Sequence, residues 1–308
     1  WTAQRLLARG QRVVGLDNFD PFYDRTIKQR HLAAVDRSAP PGAWSFVQAD
    51  LADPAAMNRL FSEHRPAGVI HLAAKAGVRP SIEDPVGYNR VNVLGTAVIL
   101  EAARAAACER MVIASSSSVY GNAPKVPFAE SDDVGTPISP YAATKRACEL
   151  LGYTHWHLHR MPTAMLRFFT VFGPRQRPDL AIQSFIVRIA KGEKIRMFGD
   201  GTTSRDYTYI DDIVTGVLAA YDRIPEHGYR IWNLGGKSPV SLRDMIATIG
   251  RVVGVEPRIE PGPMQPGDVN RTWADLTRAG AELGYAPTTG FEEGVRRQWA
   301  WVQDSGRV

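Results

Sequence analysis

A doubly wound α/β fold is predicted here: a parallel sheet with helices on both faces, joined to a smaller α/β substrate lobe. Short apolar runs alternate with stretches of helical period through the first half of the chain. The runs are hydrophobic at successive positions rather than at every second one, so both faces of each strand are expected to be covered. Polar residues gather at the carboxyl ends of the runs, the edge along which open α/β sheets bind ligands.

Taken in order, "WTAQRLLARG" reads as the latter part of an amphipathic helix ended by Gly10. The β-branched run "RVVGLD" ends in Asp17, "WSFVQAD" in Asp50, and "GVIHLAA" near Ala74. Helical patterns at 54–64 and 86–107 precede "RMVIASS", a helix from about Pro140 to His159, and "TAMLRFFTVFG". After about residue 173 the pattern is irregular, with "GPRQRPDL", a helix near 181–191, "IRMFGDGTTSRDYTYIDD" and the proline-rich "VEPRIEPGPMQPGD". The segments "IDDIVTGVLAAYDR" and "YRIWNLGG" read again as helix and strand. The expected division is therefore discontinuous: 1–172 with about 206–235 in a nucleotide-binding domain, 173–205 with 236–308 in the smaller lobe.

With 308 residues, 44% hydrophobic and 22% charged, the chain can bury a large core. The net charge of +5 comes from dispersed basic residues rather than a basic run, which argues against nucleic acid and is compatible with a phosphate-bearing small molecule. Cys108 and Cys148 lie in Ala-rich helical surroundings, so no disulfide framework is indicated. No apolar run reaches transmembrane length, and the arginine-bearing "WTAQRLLARGQR" is no signal peptide. A soluble, cytoplasmic protein is expected.

Chemistry concentrates at Tyr141 and Lys145, four apart at the start of the helix opened by Ser139 and Pro140, and so on one face. A phenol of ordinary pKa about 10 is a poor base at neutral pH, but a nearby ammonium and a cationic nicotinamide ring both favour its phenolate. Tyr141 could then take a proton from a hydroxyl while hydride leaves the carbon, with a serine of "SSSSVYG" offering a hydroxyl to the same oxygen. Tyr-x-x-x-Lys by itself equally describes a surface pair; the context decides.

That context, "SSSSVYG" before the pair and "LRFFTVFGP" after it, closely resembles the extended short-chain dehydrogenase/reductase superfamily of nucleotide-sugar epimerases and dehydratases, over nearly the whole chain. The resemblance implies a Rossmann-like domain binding NAD, a UDP-sugar substrate, and a homodimer built on helices such as 86–107 and 140–159. Aligning "VYG" implies Ser116, Tyr141 and Lys145 as the catalytic set, with Tyr141 and Lys145 also touching the cofactor. Asp17 and Asn18 of "GLDNF" would lie at the adenosine ribose, Asp50 and Leu51 at the adenine. Leu72, Ala73, Ala74 and Lys75 would run along the cofactor, with Asn92 behind the active site. Arg79, Ser117, Ser118, Thr170, Arg177, Arg205 of "RDYTYIDD" and Asp268 of "QPGDV" would form the substrate side.

The superfamily's glycine-rich turn, which cradles the pyrophosphate at a helix N-terminus, has no counterpart in this sequence. The expectation is a natural chain longer by a strand and turn, on the order of ten to twenty residues, upstream of Trp1; the alternative is a scaffold or nucleotide sensor without catalysis. Dehydratases of this kind carry Asp-Glu after the catalytic hydroxyl, and decarboxylases usually a Glu at the second place. Serines at 117 and 118 favour redox chemistry returned to the same carbon. The segments "DNFDPFYDRTIKQRHL", "SSSSVYG" and "FFTVFGPRQRPDLA" look like UDP-glucuronate 4-epimerases, so a UDP-hexuronic acid is the expected substrate. The runners-up are a UDP-glucose/UDP-galactose-type 4-epimerase and a UDP-glucuronate decarboxylase. Hydroxyls at Ser117, Ser118 and Thr170 could hold a C5 carboxylate, with Arg177 tuning the field. His155, His157 and His159 have no accompanying acid in a zincin pattern and are read as packing or solvated, so no metal is expected.

Overall fold

The computed structural model describes residues 1–263 and 269–306. Helix α1 (Thr2–Ala8) buries Leu7, and the chain turns at Gly10, whose φ of 75° suits glycine. Strand β1 (Val13–Asp17) pairs in parallel with β2 (Trp44–Gln48), the two being joined by α2 (Arg25–Ser38). Helix α3 (Pro54–His64) starts where the Asp53 carboxylate accepts from the Ala55 and Ala56 amides and Pro54 takes a position whose missing N–H costs nothing. Then come β3 (Gly68–His71), α4 (Val78–Glu83), α5 (Pro85–Tyr88), a π-helical turn (Asn89–Leu94) and α6 (Gly95–Ala105). Strand β4 (Arg110–Ser116) runs into a 3-10 turn (Ser117–Tyr120), followed by α7 (Pro140–His159) and β5 (Thr163–Phe168).

The second half contains β6 (Thr170–Phe172), α8 (Ala181–Ala190), β7 (Lys194–Phe198), β8 (Ser204–Tyr209), α9 (Ile210–His227) and β9 (Tyr229–Leu234). It ends with β10 (Pro239–Ser241), α10 (Leu242–Val253), β11 (Arg258–Gly262), α11 (Thr277–Leu283) and α12 (Phe291–Asp304). The main sheet is parallel throughout, in the order β3-β4-β5-β9. Successive residues of its central strands alternate between two cores: Met111, Ile113 and Met165 pack under α3, α6 and α7, while Val112, Ala164 and Leu166 pack under α9 and α11. That is why the strands read as unbroken apolar runs. Among the described residues β1 and β2 form a separate parallel pair, not hydrogen-bonded to β3.

The smaller lobe is built on β10-β8-β6 and the parallel pair β11-β7, with α8, α10 and α12 enclosing Phe172, Ile186, Met245 and Val295. The structure departs from the expected division in more than one place: β6 and most of β8, expected in the nucleotide-binding domain, pair into the smaller lobe's sheet with β10. That division groups residues 277–285 with the smaller lobe, but Ala279, Leu283 and Tyr285 pack into the core beneath α9 and β9. The reason is apolar: α11 covers the end of that core, and the Tyr285 hydroxyl donates to the Gly235 carbonyl just beyond β9. Both cysteines are free and buried, and among the described residues no helix is long and apolar enough to cross a membrane.

His71 closes β3 and ties it to α6, its Nε2 lying 3.1 Å from the Thr96 hydroxyl. Burial, helped by the Lys145 charge, pushes its pKa down to about 3. The folded value lies below the unfolded one of about 6.5, so the unfolded chain takes the proton first and stability falls as pH drops from about 6.5 towards 3. Urea unfolding at pH 6.5 and 5 should show a loss of roughly 1.5–2 kcal/mol from this group. A His71→Asn chain should lose correspondingly less; an equal loss in both would exclude His71 as the cause.

Candidate active site

The site forms where β4 ends beneath the first turns of α7. Ser115 and Ser116 are buried while Ser117 and Ser118 are half-buried, so the four hydroxyls face different surroundings. Ser115 donates at 2.7 Å to Glu149, a carboxylate that also holds Arg167 at 2.8 and 2.9 Å and Arg146 at 2.9 Å. Burial alone would raise the Glu149 pKa, but the bonds and charge of Arg167, with Ser115 and Arg146, bring it below the ordinary value. Ser115 is thus a structural anchor. Ser116 caps the 3-10 turn by accepting from the Ser118 amide at 3.1 Å, and its hydroxyl lies near enough to the Tyr141 phenol to lower its pKa.

Ser139 caps α7 through the Ala142 amide, and Tyr141 and Lys145 follow on one face. Burial holds the Tyr141 phenol above its ordinary value, against the Ser116 hydroxyl and the positive charge of Arg177, which pull it down. The Lys145 ammonium is buried and donates to the Ala114 carbonyl at 2.7 Å, which fixes it against β4. Burial lowers its pKa, and it keeps two further donors.

Two residues lock this helix in place. Asn92, in the π-helical turn, accepts from the Lys75 amide at 2.8 Å and donates to the Lys75 carbonyl and to Thr144, both at 3.0 Å; Thr144 in turn donates to the Tyr141 carbonyl at 2.8 Å. One amide side chain therefore joins the segment after β3 to the helix carrying Tyr141. Ser81, fully buried on α4, accepts the Tyr141 amide at 3.1 Å, and the Tyr88 ring meets that of Tyr141 edge-on at 6.2 Å. Sequence reasoning missed Ser81 and Tyr88, because nothing in their local sequence indicates contact with a residue more than fifty positions away.

Along the sheet edge, Asp17 accepts from the Phe19 amide at 2.6 Å and lies 3.7 Å from Lys28, its side chain about half exposed, while Asn18 accepts from the Asp20 amide at 2.9 Å. Asp50 accepts from the Ala52 amide at 2.9 Å and from Arg90 at 2.7 Å, and Leu51 turns into the core, packed close to Gly95. Leu72 and Ala73 are exposed beyond β3, Ala74 is half-buried, and the half-buried Lys75 reaches Asp84 at 2.7 Å. This edge offers a carboxylate, an exposed apolar strip and then the Ser116–Tyr141–Lys145 group, a donor set that fits an extended nicotinamide dinucleotide. No residue of this sequence is assigned to the diphosphate.

Among the residues expected to face substrate, Arg177 bonds Asp179 at 2.6 and 3.0 Å and donates to the Ala76 carbonyl at 3.3 Å, and it lies over the Phe22 ring at 5.0 Å. It is tethered, with its charge felt at Tyr141. Thr170 is half-buried at the start of β6. The Arg79 guanidinium crosses to the Phe198 ring of the smaller lobe at 4.8 Å. Arg205 donates to Ser204 and Asn270 carbonyls beside a hollow of about 620 Å³ lined by Asp200, Thr203, Asn270 and Arg271. Asp268 lies outside the described residues.

The family described as GDP-mannose 4,6 dehydratase matches residues 1–298. The chain belongs to this family. It is 40% identical to a UDP-glucuronate 4-epimerase of Thermodesulfobacterium geofontis over 97% of this chain and 91% of that protein. The crystal structure of UDP-glucuronic acid 4-epimerase from Bacillus cereus with UDP-glucuronic acid and NAD superposes with a TM-score of 0.91 at 31% identity, covering 99% of this chain and 95% of that one. The complex of Thermus thermophilus UDP-glucose 4-epimerase with NAD gives 0.87 at 32% identity over 98% and 94%. The Rossmann-like architecture expected from the sequence is the one these structures share.

Replacing Asn92 by Ala should leave the Lys75 amide and the Thr144 hydroxyl without their partner, at a cost of about 1–3 kcal/mol by denaturant unfolding. Ser81→Ala should cost less, since it orphans one helix-start amide. A fully stable Asn92→Ala chain would show that the tie does not hold the helix.

Proposed function

We propose that the protein is an NAD-dependent 4-epimerase of a UDP-hexuronic acid, interconverting UDP-glucuronate and UDP-galacturonate. The observation that carries this reading is the joining of Ser116, Tyr141 and Lys145 at one strand end that continues into Ser117 and Ser118. Elimination of water needs an additional carboxylic acid and base, and neither of these two positions supplies one. The family takes its name from a dehydratase; the serines support counting this member among its epimerases.

The residues divide the work as follows. Asp17 and Asn18 would hold the adenosine ribose, with Asp50 and Leu51 near the adenine and the 72–75 segment along the dinucleotide. Bound NAD would supply reversible hydride acceptance at sugar C4. Tyr141 takes the C4 hydroxyl proton as hydride departs, the Ser116 hydroxyl hydrogen-bonds the same oxygens, and the Lys145 ammonium offsets phenolate charge. After the 4-keto sugar turns over in the site, Tyr141 returns the proton with hydride added to the opposite face. Ser117, Ser118 and Thr170 hydrogen-bond the C5 carboxylate, Arg177 acts at a distance through its field, and Arg79 and Arg205, with Asp268, serve the nucleotide end.

The chain is expected to work in the cytoplasm as a homodimer. Exposed Leu94, Leu150, Tyr153 and Leu158 on and beside α6 and α7 form the apolar face for a second copy. A neutral-sugar 4-epimerase is the second reading, supported by the likeness to the Thermus enzyme.

Incubation with UDP-glucuronate, following UDP-galacturonate and carbon dioxide separately, should give the former without the latter. Tyr141→Phe should lower kcat by roughly 10²–10⁴-fold. Thr170→Ala should release carbon dioxide, because the carboxylate is then less firmly held out of alignment with the 4-keto group. Turnover of UDP-glucose alone would favour the second reading, and a Thr170→Ala enzyme with unchanged products and substrate preference would remove Thr170 from the carboxylate site.

A further inference from the structure

Far from the first turn of α7, the helix carries His155 and His159 one turn apart near its C-terminal end. The sequence offered no acid to go with them. The fold supplies one from α6: Glu101, His155 and His159 place a carboxylate oxygen and two ring nitrogens all within 4.8 Å of one another. The Glu101 Oε1 lies 3.7 Å from His155 Nε2.

His155 is the unusual member. It is 6% exposed, yet neither ring nitrogen has a hydrogen-bond partner, although its ring meets that of His159 edge-on at 4.7 Å. A buried polar group without a partner costs about 1–3 kcal/mol, so such a residue calls for a reason. Glu101 is already arranged to serve it. Its Oε2 accepts two bonds from Arg104, at 2.9 and 3.1 Å, which leaves Oε1 turned to the histidines.

We propose that Glu101, His155 and His159 form a binding site for one divalent transition-metal cation of the zinc class, joining α6 to α7. Two imidazoles and one carboxylate are a donor set such cations take, with water in the fourth position. Metal bonds of about 2.0–2.2 Å in a tetrahedron require ligand atoms about 3.3–3.5 Å apart. One pair is close to that spacing, and small rotations of the exposed Glu101 and His159 side chains close the rest. Arg104 then acts as the outer partner that orients the carboxylate, a role commonly found around metal ligands. The site is structural: it lies at the end of α7 away from Tyr141 and does not depend on the proposed reaction.

The test uses the full chain without a histidine tag, stripped with chelator and dialysed against zinc. Metal analysis should find one zinc per chain, and the melting temperature should rise by about 4 °C at a hundredfold excess over the dissociation constant. His159→Ala and Glu101→Gln, both at exposed positions, should fold in chelator like the parent and lose the zinc and the temperature rise. His157→Ala, exposed on the same helix but outside the cluster, should keep both. A parent chain that takes up no zinc, or uptake that survives in both His159→Ala and Glu101→Gln, would overturn the proposal.

Discussion

The active site depends on how α7 is fixed against the end of β4, and that fixing is done by a buried ion pair. Glu149 and Arg167 are both almost fully buried, one on α7 and the other on β5, and bond through two oxygens and two nitrogens. Taking two charges out of water costs several kcal/mol each, so such a pair is poor evidence of net stability. Its value is positional. A carboxylate this deep requires all of its partners, and Ser115 is one of them, so the strand end cannot slide relative to the helix without orphaning a charge. Arg167 extends the constraint, lying over the Tyr120 ring at 4.8 Å, and Tyr120 donates to Asn233 on β9 at 2.7 Å. Three strands and one helix thus share a single polar network beneath the Ser116 hydroxyl.

On top of that network the electrostatics of Tyr141 are set by opposing effects. Burial disfavours the phenolate, the Ser116 hydrogen bond and the Arg177 charge favour it, and His71 beside Lys145 is kept neutral, so it adds no second cation. Arg177 would be a hazard as a free cation beside a substrate carboxylate, since a close ion pair would fix the acid in one position. Its bonds to Asp179 and to the Ala76 carbonyl hold it back. Its charge is expressed as a field at the phenol and not as a contact.

Much of this was legible in the sequence because it was local or periodic. The unbroken apolar runs announced strands covered on both faces, and β4 and β5 indeed divide their side chains between two cores. The helix from Pro140 to His159 carried its own start signal in Ser139-Pro140, and the four-residue spacing of Tyr141 and Lys145 put both on one of its faces. What stayed hidden was whatever depended on distant segments meeting. Ser81 holding the Tyr141 amide, Glu149 reaching across to β5, and α11 returning to the core under α9 have no local mark. Nor did any local signal show that 86–107 would be interrupted by a π-helical turn, which is where Asn92 gains its reach to Lys75 and Thr144.

The serine run shows how one short segment can hold several constraints of different kinds. Ser115 satisfies a buried carboxylate, Ser116 both caps the turn and meets the phenol, and Ser117 and Ser118 are half-exposed. A carboxylate in place of Ser117 or Ser118 would bring a negative charge to the mouth of the site and raise the pKa of Tyr141 further. A pair of carboxyl groups there would also add the acid and base that elimination requires. Neutral hydroxyls avoid both, so the absence of charge at these two positions suits the acid/base role proposed for Tyr141 and the return of hydride to the carbon it left.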